Sequence, residues 1–530
     1  MRLLNIFPLV VSATAAAVVR DVSAISVDKD VPSSAGPALL ESYMSYSIEF
    51  CYFPDYAGNK SHPNNFSNQL LDNLADIQGV KPYIRVGGNT QDYALYNASL
   101  EYAINGTVIP SKSVDYPYII YIGPSFFESY ATWPKTKFSH GFNLGKNGSE
   151  GLETLLNTVP LACKALQDGK LAYWELGNEP DLFKTSSQGP VRPSNWTEQD
   201  YVDEWLAKSR KIHDALAKAC PEMATEKNYQ YLAPSFAGLT NSLDPVATWK
   251  DDLNTDKNIA LNSVHNYIGG ATQPGITLQG TLMNHTVTVT KVKSLSNLSQ
   301  VLAADNLTTN IPFILGEHNS LYNEGAPGLS NAFGAAIWGV DFNLYAASQG
   351  VRRQHMHQGS DYRYASWQPV ETENTTLGTK PPYYGNVFVA AMVHGDSDVQ
   401  ITDLPLSNET ESAYAAYVGG KLARIAVVNL VEYNYTDSDP TAPRPSASYD
   451  FQLPSEFKSV SVQRLLANGS NALSGITWDG YSYNYELEGG KPVRLGNVTV
   501  GETARADKNG VITIDVPYSS AVMLTVDHGN

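Results

Sequence analysis

In Trp174-Glu-Leu-Gly-Asn-Glu-Pro180 and in Phe313-Ile-Leu-Gly-Glu-His318, an apolar run of strand length stops at a carboxylate. Apolar runs of this kind are typical of strands buried in parallel sheets. In α/β barrels the residues that carry out the chemistry lie at the carboxyl ends of the strands. The two stretches therefore predict a barrel with two acidic residues at its mouth.

Further strand-like runs follow residue 40, and several are separated by segments with helical spacing of apolar residues. The eight runs are Tyr46–Phe50, Tyr83–Val86, Tyr118–Ile122, Leu171–Leu176, Tyr229–Pro234, Asn262–Tyr267, Pro312–Leu315 and Val351–His357. The helical segments are Phe66–Ile77, Leu152–Leu166, Tyr201–Ala219, Val289–Ala304 and Ala332–Ala347. This alternation predicts a closed (β/α)8 barrel of the α/β class. A doubly wound open sheet is the alternative, but no Gly-rich dinucleotide fingerprint follows the first run.

The chain has 530 residues, more than one ordinary core accommodates. We assign residues 40–400 to the barrel and residues 401–530 to an antiparallel β-sandwich. Short β-branched runs separated by turn residues support the second domain: Tyr414–Val418, Ala423–Val428, Ser459–Gln463, Val498–Val500 and Val511–Val516. Residues 25–40 can add a strand to the sandwich. We expect the two domains to pack as one unit, because no long linker separates them.

Residues 1–20 have the pattern of a secretory signal peptide. Arg2 precedes the apolar run Leu3–Val11, and small residues follow. The run is shorter than the roughly 20 apolar residues that span a bilayer, so we expect a secreted, extracellular protein with no membrane partner. Asn-x-Ser/Thr motifs predict N-linked glycans at Asn59, Asn65, Asn97, Asn105, Asn147, Asn195, Asn284, Asn297, Asn306, Asn374, Asn408, Asn434, Asn468 and Asn497.

Charge and cysteine content exclude several classes of protein. The formal charge is −17 and no Lys/Arg run occurs, which argues against a nucleic-acid partner. Only three cysteines are present, so the fold does not depend on a disulfide framework. Cys163 and Cys220 lie on consecutive predicted helices and can pair, which would leave Cys51 free.

Glu179 and Glu317 end the fourth and seventh predicted strands, and in a barrel these ends face one another. Retaining glycoside hydrolysis needs two carboxyl groups about 5–5.5 Å apart. We expect Glu179 to be the general acid/base, Glu317 the nucleophile, and Asn178 a donor to the sugar 2-hydroxyl. The structural alternative is that Glu-Pro begins a helix and that Glu317 belongs to a buried ion pair.

These motifs resemble the retaining (β/α)8 glycosidase clan. Glu-Leu-Gly-Asn-Glu-Pro-Asp and Ile-Leu-Gly-Glu-His-Asn-Ser, together with the trailing β-domain, resemble glycoside hydrolase family 79, which contains β-glucuronidases, including fungal exo-acting enzymes, and heparanases. By this resemblance, Arg85 would donate to the nucleophile and lower its pKa, and Asn89 would contact sugar hydroxyls. Glu49 would bind a hydroxyl; the alternative is a structural pairing with Arg85.

The resemblance also implies how a uronic acid is recognised. Tyr267 would hydrogen-bond near the nucleophile or the uronate carboxylate. Tyr322 and Tyr383 would bind the carboxylate, since tyrosine hydroxyls with backbone amides can hold an anion without a full cation. Tyrosines are also common packing residues, and this chain has 32 of them.

No metal or cofactor is expected. His355 and His357 share a strand face, but no third and fourth ligands occur at a motif spacing, so hydrogen bonding around the site is the better interpretation. Trp174, Trp196 and Trp367 could stack on a sugar, although Trp174 lies within a strand and fits the core better.

Together these features predict a retaining exo-β-glucuronidase. Its glycan substrate would carry terminal β-linked glucuronate or 4-O-methyl-glucuronate, as on arabinogalactan side chains. A heparanase-like cleft should be lined with Lys and Arg clusters, which the sequence lacks. The alternatives are a clan relative acting on a neutral sugar and a catalytically silent carbohydrate-binding protein.

Overall fold

The computed structural model describes residues 24–186, 188–436, 439 and 442–526. The predicted signal peptide lies outside this part of the chain. Across the described residues, no helix combines the length and the apolar character that a membrane crossing requires.

Eight parallel strands close into a barrel, which confirms the predicted fold class. In chain order they are Met44–Glu49, Ile84–Gly87, Phe138–Phe142, Leu171–Leu176, Tyr231–Phe236, Ile259–Gly270, Phe313–Tyr322 and Gln354–Gln358. The eighth strand pairs with the first, with Gln354 opposite Met44 and Gln358 opposite Ile48. Asn178 and Glu179 directly follow the fourth strand, and Glu317 lies within the seventh.

The third barrel strand differs from the prediction. Tyr118–Ile122 was the expected run, but Ile119–Ile122 belongs to a small sheet with Ala94–Tyr96 and Ile104–Thr107. Ile119 and Tyr121 are exposed, so this strand is covered on one face only. The barrel strand is Phe138–Phe142, which is buried throughout although it contains Ser139, His140 and Gly141. Those residues interrupt the apolar run that marks the other strands.

The helices surround the barrel. They are Phe53–Ala57, Asn65–Gln78, Gly148–Ala165, Glu198–Ala219, Pro245–Lys250, His285–Ala304, Phe333–Ser348 and Pro381–Met392, with a π-helical turn at Leu278–Leu282. The side chain of Thr197 accepts from the Asp200 N–H and the Asp200 side chain accepts from the Thr197 N–H, so a capping box begins the longest helix. Phe333–Ser348 is buried along its whole length, because the β-domain covers the side that faces away from the barrel.

Two sheets form the C-terminal domain. One contains Val399–Asp403, Glu411–Val418, Lys421–Asn429, Ser520–Val526, Ser459–Leu466, Thr477–Trp478, Tyr481–Ser482, Val493–Arg494 and Glu502–Arg505. The other contains Ser446–Gln452, Val511–Pro517 and the N-terminal Ile25–Ser26, which pairs in parallel with Phe451 and Gln452. Val498–Val500, expected as a strand, lies in the loop between the last two short strands of the first sheet.

A buried polar cluster joins the two domains. Asp341, on a barrel helix, accepts hydrogen bonds from Tyr414 of the β-domain at 2.7 Å and pairs with His285 at 2.9 Å. Asp341 has no solvent exposure. The β-domain is therefore attached to the barrel by a desolvated hydrogen-bond network as well as by apolar packing.

Cys163 and Cys220 form a disulfide, and Cys51 is a buried free thiol. The bridge links the helix before the fourth strand to the end of the helix after it.

Candidate active site

A cavity of about 790 Å³ opens at the carboxyl ends of the barrel strands. It brings together most of the residues that were predicted from the sequence to form the active site. Its lining includes Glu49, Asn89, Asn178, Glu179, Tyr267, Glu317 and Tyr322. Arg85 lies directly below the cavity, in contact with Glu317.

Glu317 is held as a carboxylate by several donors. Arg85 Nη1 donates to its Oε2 at 2.7 Å, and the Tyr267 hydroxyl donates to its Oε1 at 2.7 Å. Although burial opposes ionisation, the nearby imidazoles of His357 and His265, the Arg85 guanidinium and the Tyr267 hydroxyl together keep the pKa of this carboxyl below its ordinary value. An ionised, oriented carboxylate is what a nucleophile requires.

Arg85 is fully buried and connects three strands. Its Nε donates to Glu175 Oε2 at 2.8 Å, and its Nη2 donates to Asn178 Oδ1 at 2.8 Å. Gly87 allows this packing, since a Cβ there would lie 2.9 Å from both the Arg85 Cζ and a Glu175 oxygen. Glu175 also accepts from the Ser235 hydroxyl. Hydrogen bonds to several acceptors, one of which is Glu317, therefore hold the guanidinium in place.

Glu179 has the opposite electrostatic environment. Its backbone adopts a left-handed conformation with φ of 50°, and its N–H donates to Ser235 O at 2.9 Å. The side chain makes a 2.9 Å hydrogen bond with His265 Nδ1. Burial and the charge of Glu317 raise the pKa of Glu179 to about 8. Burial lowers the pKa of His265 to about 4, so the imidazole beside Glu179 is neutral near pH 7.

The two carboxylates are close enough for covalent catalysis. One oxygen of Glu179, one of Glu317 and a His265 nitrogen all lie within 4.8 Å of one another. Retaining enzymes have carboxyl groups about 5–5.5 Å apart, whereas inverting enzymes need about 6.5–9.5 Å. Such a trio can also hold a metal, but Arg85 and His265 already use these oxygens in hydrogen bonds. The arrangement suits proton transfer and nucleophilic attack.

Asn178 is oriented by its neighbours so that its amide can donate. Its Oδ1 accepts from Arg85, and its Nδ2 donates to Asn89 Oδ1 at 3.0 Å. Asp92 accepts from the Asn178 N–H at 2.8 Å and from the N–H groups of Leu144 and Gly145. The second Asn178 N–H is therefore available to a sugar hydroxyl in the cavity.

Glu49 lines the cavity but does not pair with Arg85, so the structural alternative for it is wrong. Its Oε1 accepts from the Thr90 N–H at 2.9 Å and from the Thr90 hydroxyl. Its Oε2 lies 3.4 Å from both His357 Nε2 and the Tyr362 hydroxyl. One face of the carboxylate is thus anchored and the other is directed toward polar groups of the cavity wall.

Tyr322 is 46% exposed and lines the cavity. Its ring covers Gly270, where a Cβ would come within 2.2 Å of the ring. Asn323 and Glu324 follow it in left-handed conformations with φ of 59° and 58°. Among the described residues, the N–H groups of Asn323 and Glu324 have no hydrogen-bond acceptor. The segment can therefore offer donors to an anion.

Tyr383 is not brought to the site, which corrects the expectation for this residue. It is fully buried on the helix Pro381–Met392, and its hydroxyl donates to Leu70 O at 2.8 Å. The expected tryptophan platform is also absent from the described cavity lining. Trp174 and Trp367 have no exposure, and Trp196 stacks on Phe183 behind the wall.

Several site residues were not predicted. His265 contacts Glu179, but within Val264-His265-Asn266-Tyr267 only Tyr267 was predicted to lie in the site. Asp92 follows Asn89 by three residues and carried no separate signal. The alternation of barrel strands could have identified His265, because it points to the same interior as Tyr267. His357 Nδ1 lies 3.6 Å from Glu317 Oε2 and makes its hydrogen bond with the Ser47 hydroxyl at 2.9 Å.

Sequence comparison agrees with this geometry. Residues 413–523 match the model of the glycosyl hydrolase family 79 C-terminal beta domain. A β-glucuronidase from Aspergillus niger is 65% identical over 515 residues, covering 96% of this chain and 95% of that protein. A β-glucuronidase from Neurospora crassa is 55% identical over 514 residues, covering 91% of each chain.

Solved structures share the fold. A 4-O-α-L-rhamnosyl-β-D-glucuronidase from Fusarium oxysporum superposes with a TM-score of 0.76 at 24% identity, covering 94% of this chain and 99% of that one. A family 51 α-L-arabinofuranosidase from Bifidobacterium longum superposes with a TM-score of 0.58 at 14% identity, covering 95% of this chain and 99% of that one. These two likenesses establish the architecture alone. The matched C-terminal domain and the two long, close relatives lead to one conclusion: the chain belongs to glycoside hydrolase family 79.

Proposed function

We propose that this glycoside hydrolase is a retaining, exo-acting β-glucuronidase that removes terminal β-linked glucuronate by double displacement. The observation that carries the proposal is the pair Glu179 and Glu317, which share one cavity at the spacing of a retaining pair and have pKa values shifted in opposite directions. The family relationship supports the choice of sugar, because two close relatives are named β-glucuronidases.

In the first step Glu317 attacks the anomeric carbon. The bond to the aglycone breaks as Glu179 gives its proton to the departing oxygen, and a glycosyl ester forms on Glu317. In the second step Glu179, now ionised, takes a proton from water. The resulting nucleophile cleaves the ester and regenerates both carboxyl groups, so the sugar keeps its β-configuration.

The hydrogen bonds around Glu317 suit both steps. Arg85 and Tyr267 orient the carboxylate before attack and receive it again when the ester is cleaved. The free N–H of Asn178 is placed to donate to the 2-hydroxyl, an interaction that strengthens as positive charge develops on the sugar ring. The hydrogen bond between His265 Nδ1 and Glu179 Oε1 fixes the orientation of the Glu179 carboxyl group.

The segment Tyr322–Glu324 supports recognition of a carboxylate. Tyr322, with its exposed phenol, lines the same cavity as the catalytic pair, and so do Asn323 and Glu324, whose N–H groups have no acceptor among the described residues. Donors of this kind bind carboxylates without a neighbouring cation. Of the described lining residues, Lys291 is the one lysine or arginine, so the cavity suits a single uronate better than a sulfated polymer.

Contacts between loops favour an exo-acting enzyme. Gln188, from the loop after the fourth strand, hydrogen-bonds Tyr116, Tyr93 and Lys112 of the insertion after the second strand. These contacts lie at the wall formed by Tyr93, Tyr116 and Gln188. They connect two loops at this wall of the cavity, which supports a pocket for a chain end over an open cleft. We propose terminal glucuronate or 4-O-methyl-glucuronate, as on arabinogalactan side chains, as the natural substrate.

We further propose that the protein is secreted and N-glycosylated. The N-terminal pattern supports export. Every Asn-x-Ser/Thr asparagine except Asn284 and Asn468 is exposed, so the acceptor positions are accessible on the folded chain. Mass spectrometry of the protein from a eukaryotic host, before and after removal of N-glycans, tests both the mature N-terminus and the modified sites.

The experiment that tests the activity is a paired assay with 4-nitrophenyl β-D-glucuronide and 4-nitrophenyl β-D-glucoside at mildly acidic pH. The proposal predicts a large preference in kcat/KM for the glucuronide. Preference for the glucoside would leave the roles of Glu179 and Glu317 unchanged, but it would show that the enzyme does not recognise a uronic acid. Binding of either sugar without turnover would instead identify a carbohydrate-binding protein.

A further inference from the structure

The turn Asn323-Glu324-Gly325 follows the nucleophile's strand and has an unusual backbone. All three residues have positive φ, with values of 59°, 58° and 81°. Asn and Gly tolerate this region, but for Glu it is unfavourable without support from the surroundings. Asn323 and Glu324 line the catalytic cavity. Something must therefore hold this turn in place.

Arg363, from the loop after the eighth strand, supplies that support. Its backbone N–H donates to Glu324 O at 2.8 Å, its Nε to Gly325 O at 3.0 Å, and its Nη2 to Asn323 O at 3.2 Å. One residue thus contacts the carbonyl of each member of the turn. The planar guanidinium gives these bonds a fixed direction that a lysine cannot reproduce.

The same guanidinium pairs with two acidic side chains. Arg363 Nη1 forms an ion pair with Asp115, and Nη2 lies 3.9 Å from Glu324 Oε2. Asp115 comes from the insertion after the second strand, so the cluster of Asp115, Glu324 and Arg363 joins three loops. All three side chains are largely buried, with side-chain exposures of 16%, 14% and 26%.

Asp115 and Glu324 share the one guanidinium of Arg363, so the cluster has two carboxyl groups and one cation. With both carboxyl groups ionised, this largely buried cluster would carry a net negative charge, which favours the uptake of one proton. Burial and Asp115 raise the pKa of Glu324 to about 9, and Arg363 opposes the shift only in part. The other groups that face Glu324 are Glu49, from the first strand, and the phenols of Tyr116, Tyr362 and Tyr364.

We propose that Asp115, Glu324 and Arg363 form a specificity-determining cluster that shapes the turn for the uronate carboxylate and, by holding one proton, keeps that wall of the cavity electrically neutral. Arg363 acts as a positioning residue through the turn. The inference rests on the proposed glucuronidase activity. Without that proton, the cluster would carry one net negative charge beside the site where the anionic sugar must bind.

The consequence is a dependence of KM on pH that the catalytic pair does not produce. As pH rises through the pKa of Glu324, the cluster loses its proton and repels the substrate carboxylate, so KM for the glucuronide rises. Loss of the Glu179 proton instead lowers kcat, because it removes the acid of the first step. Titration of Glu324 therefore changes KM, whereas titration of Glu179 changes kcat.

Two variants separate these effects, with R210Q as the control. Arg210 pairs with Asp256 on an exposed surface, so R210Q removes an arginine ion pair far from the cavity. We expect R363Q to raise KM for 4-nitrophenyl β-D-glucuronide by about 10- to 100-fold, the effect of losing hydrogen bonds to a charged group, with a much smaller change in kcat. R210Q should match the wild type.

E324Q tests the proton of the cluster directly, because an amide can donate a hydrogen bond but cannot titrate. We expect KM of the wild type to rise between about pH 8 and pH 10 and KM of E324Q to stay flat over that range. A rise of equal size in E324Q would overturn the proposal, as would an R363Q enzyme with unchanged KM. If R363Q does not fold, E324Q and R363K carry the test, R363K being expected to raise KM as well.

Failure of the proposed function gives a different result. If the wild type does not hydrolyse the glucuronide at all, the glucuronidase assignment fails before any variant is compared. If the wild type does hydrolyse it and both variants behave like the wild type, the assignment survives and the cluster has no role in specificity.

Discussion

Glu179 and Glu317 are the same residue type in one cavity, and their neighbours give them different protonation states. Glu317 contacts Arg85 and Tyr267, which stabilise its charge. Glu179 contacts a neutral imidazole and is buried beside a second carboxylate, which destabilises its charge. Environments that push two pKa values apart identify the acid and the nucleophile of a glycosidase.

Substitution of each carboxyl should separate the two roles. E317Q removes the nucleophile, so we expect kcat to fall by several orders of magnitude with every substrate. E179Q removes general acid catalysis, which contributes about 10²- to 10⁴-fold, and the loss should be smaller for aryl glucuronides because their leaving groups need less protonation. E226Q, at an exposed position, is the control. Near-normal turnover by E317Q would refute the assignment.

Rescue with azide identifies the nucleophile independently. In E317G a cavity replaces the carboxylate, so azide can attack the anomeric carbon while Glu179 still protonates the leaving group. We expect restored release of aglycone and an α-glycosyl azide as the product. A β-configured azide, or rescue in E179G with that α product, would show that the roles are assigned the wrong way round.

The pH profile follows from the direction of each shift. Glu179 must be protonated, so kcat/KM falls as pH rises through its pKa of about 8. Glu317 must be ionised, and its lowered pKa moves the loss of activity on acidification below the ordinary range of glutamate. Values of kcat measured from pH 3 to pH 10 should therefore show a broad acidic plateau, and kcat of E179Q should lack the fall at alkaline pH. A rate maximum found only at alkaline pH would contradict the roles assigned to Glu179 and Glu317.

At the scale of residues, the apolar strand signals identified the two catalytic carboxylates. They did not identify the polar residues that surround these carboxylates. Glu179 and Glu317 interrupt strong strand signals, so they were visible. His265, Asp92 and Glu324 lie in polar segments, and only the closed barrel brings them to the site. Tyr383 failed as a prediction because the helix Pro381–Met392, which carries it, was not predicted.

At the scale of elements, apolar composition, and not burial by itself, explains which strands could be predicted from the sequence. Leu171–Leu176 and the start of Phe313–Tyr322 are apolar runs and were found at or near their observed positions. Phe138–Phe142 was missed because Ser139, His140 and Gly141 interrupt its apolar run; the buried His140 hydrogen-bonds Tyr130 at 2.6 Å. The alternating strand Ile119–Ile122 took its place, although one of its faces is in solvent.

The disulfide between two barrel helices should affect stability alone. Cys163 and Cys220 are 57 residues apart, and in the chain-entropy model closing such a loop contributes about 4 kcal/mol. We expect the double variant C163S/C220S to melt several degrees lower while kcat at 25 °C stays unchanged. A reducing agent should lower the Tm of the wild type and not that of the variant. An equal drop in the Tm of both proteins would show that the reducing agent does not act by breaking this disulfide.

At the scale of the whole molecule, the β-domain completes the core of the barrel. The helix Phe333–Ser348 has no exposed face within the intact chain, and Asp341 on it bonds to Tyr414 of the β-domain. The order of barrel and sandwich was predictable from the change in strand pattern near residue 400. The polar contact that joins them was not, because Asp341 and Tyr414 lie 73 residues apart with no shared motif.

Removing this contact should destabilise the protein without changing substrate binding. Asp341→Ala leaves His285 and Tyr414 buried without their partner, and breaking a buried pair costs about 3–5 kcal/mol. Asp256→Ala, which breaks the exposed pair with Arg210, should cost about 1 kcal/mol or less. Chemical denaturation of both variants gives the comparison, and KM of each should equal that of the wild type. Equal losses of stability would show that the two domains do not depend on this cluster.

The most direct test of the whole account is the stereochemistry of the first product, followed by ¹H NMR during hydrolysis of 4-nitrophenyl β-D-glucuronide. We predict that β-D-glucuronic acid forms first and that the α-anomer accumulates only by mutarotation. This result requires that the enzyme accept the uronide and that Glu179 and Glu317 act by double displacement. Initial release of the α-anomer, or no release of glucuronic acid, would contradict it.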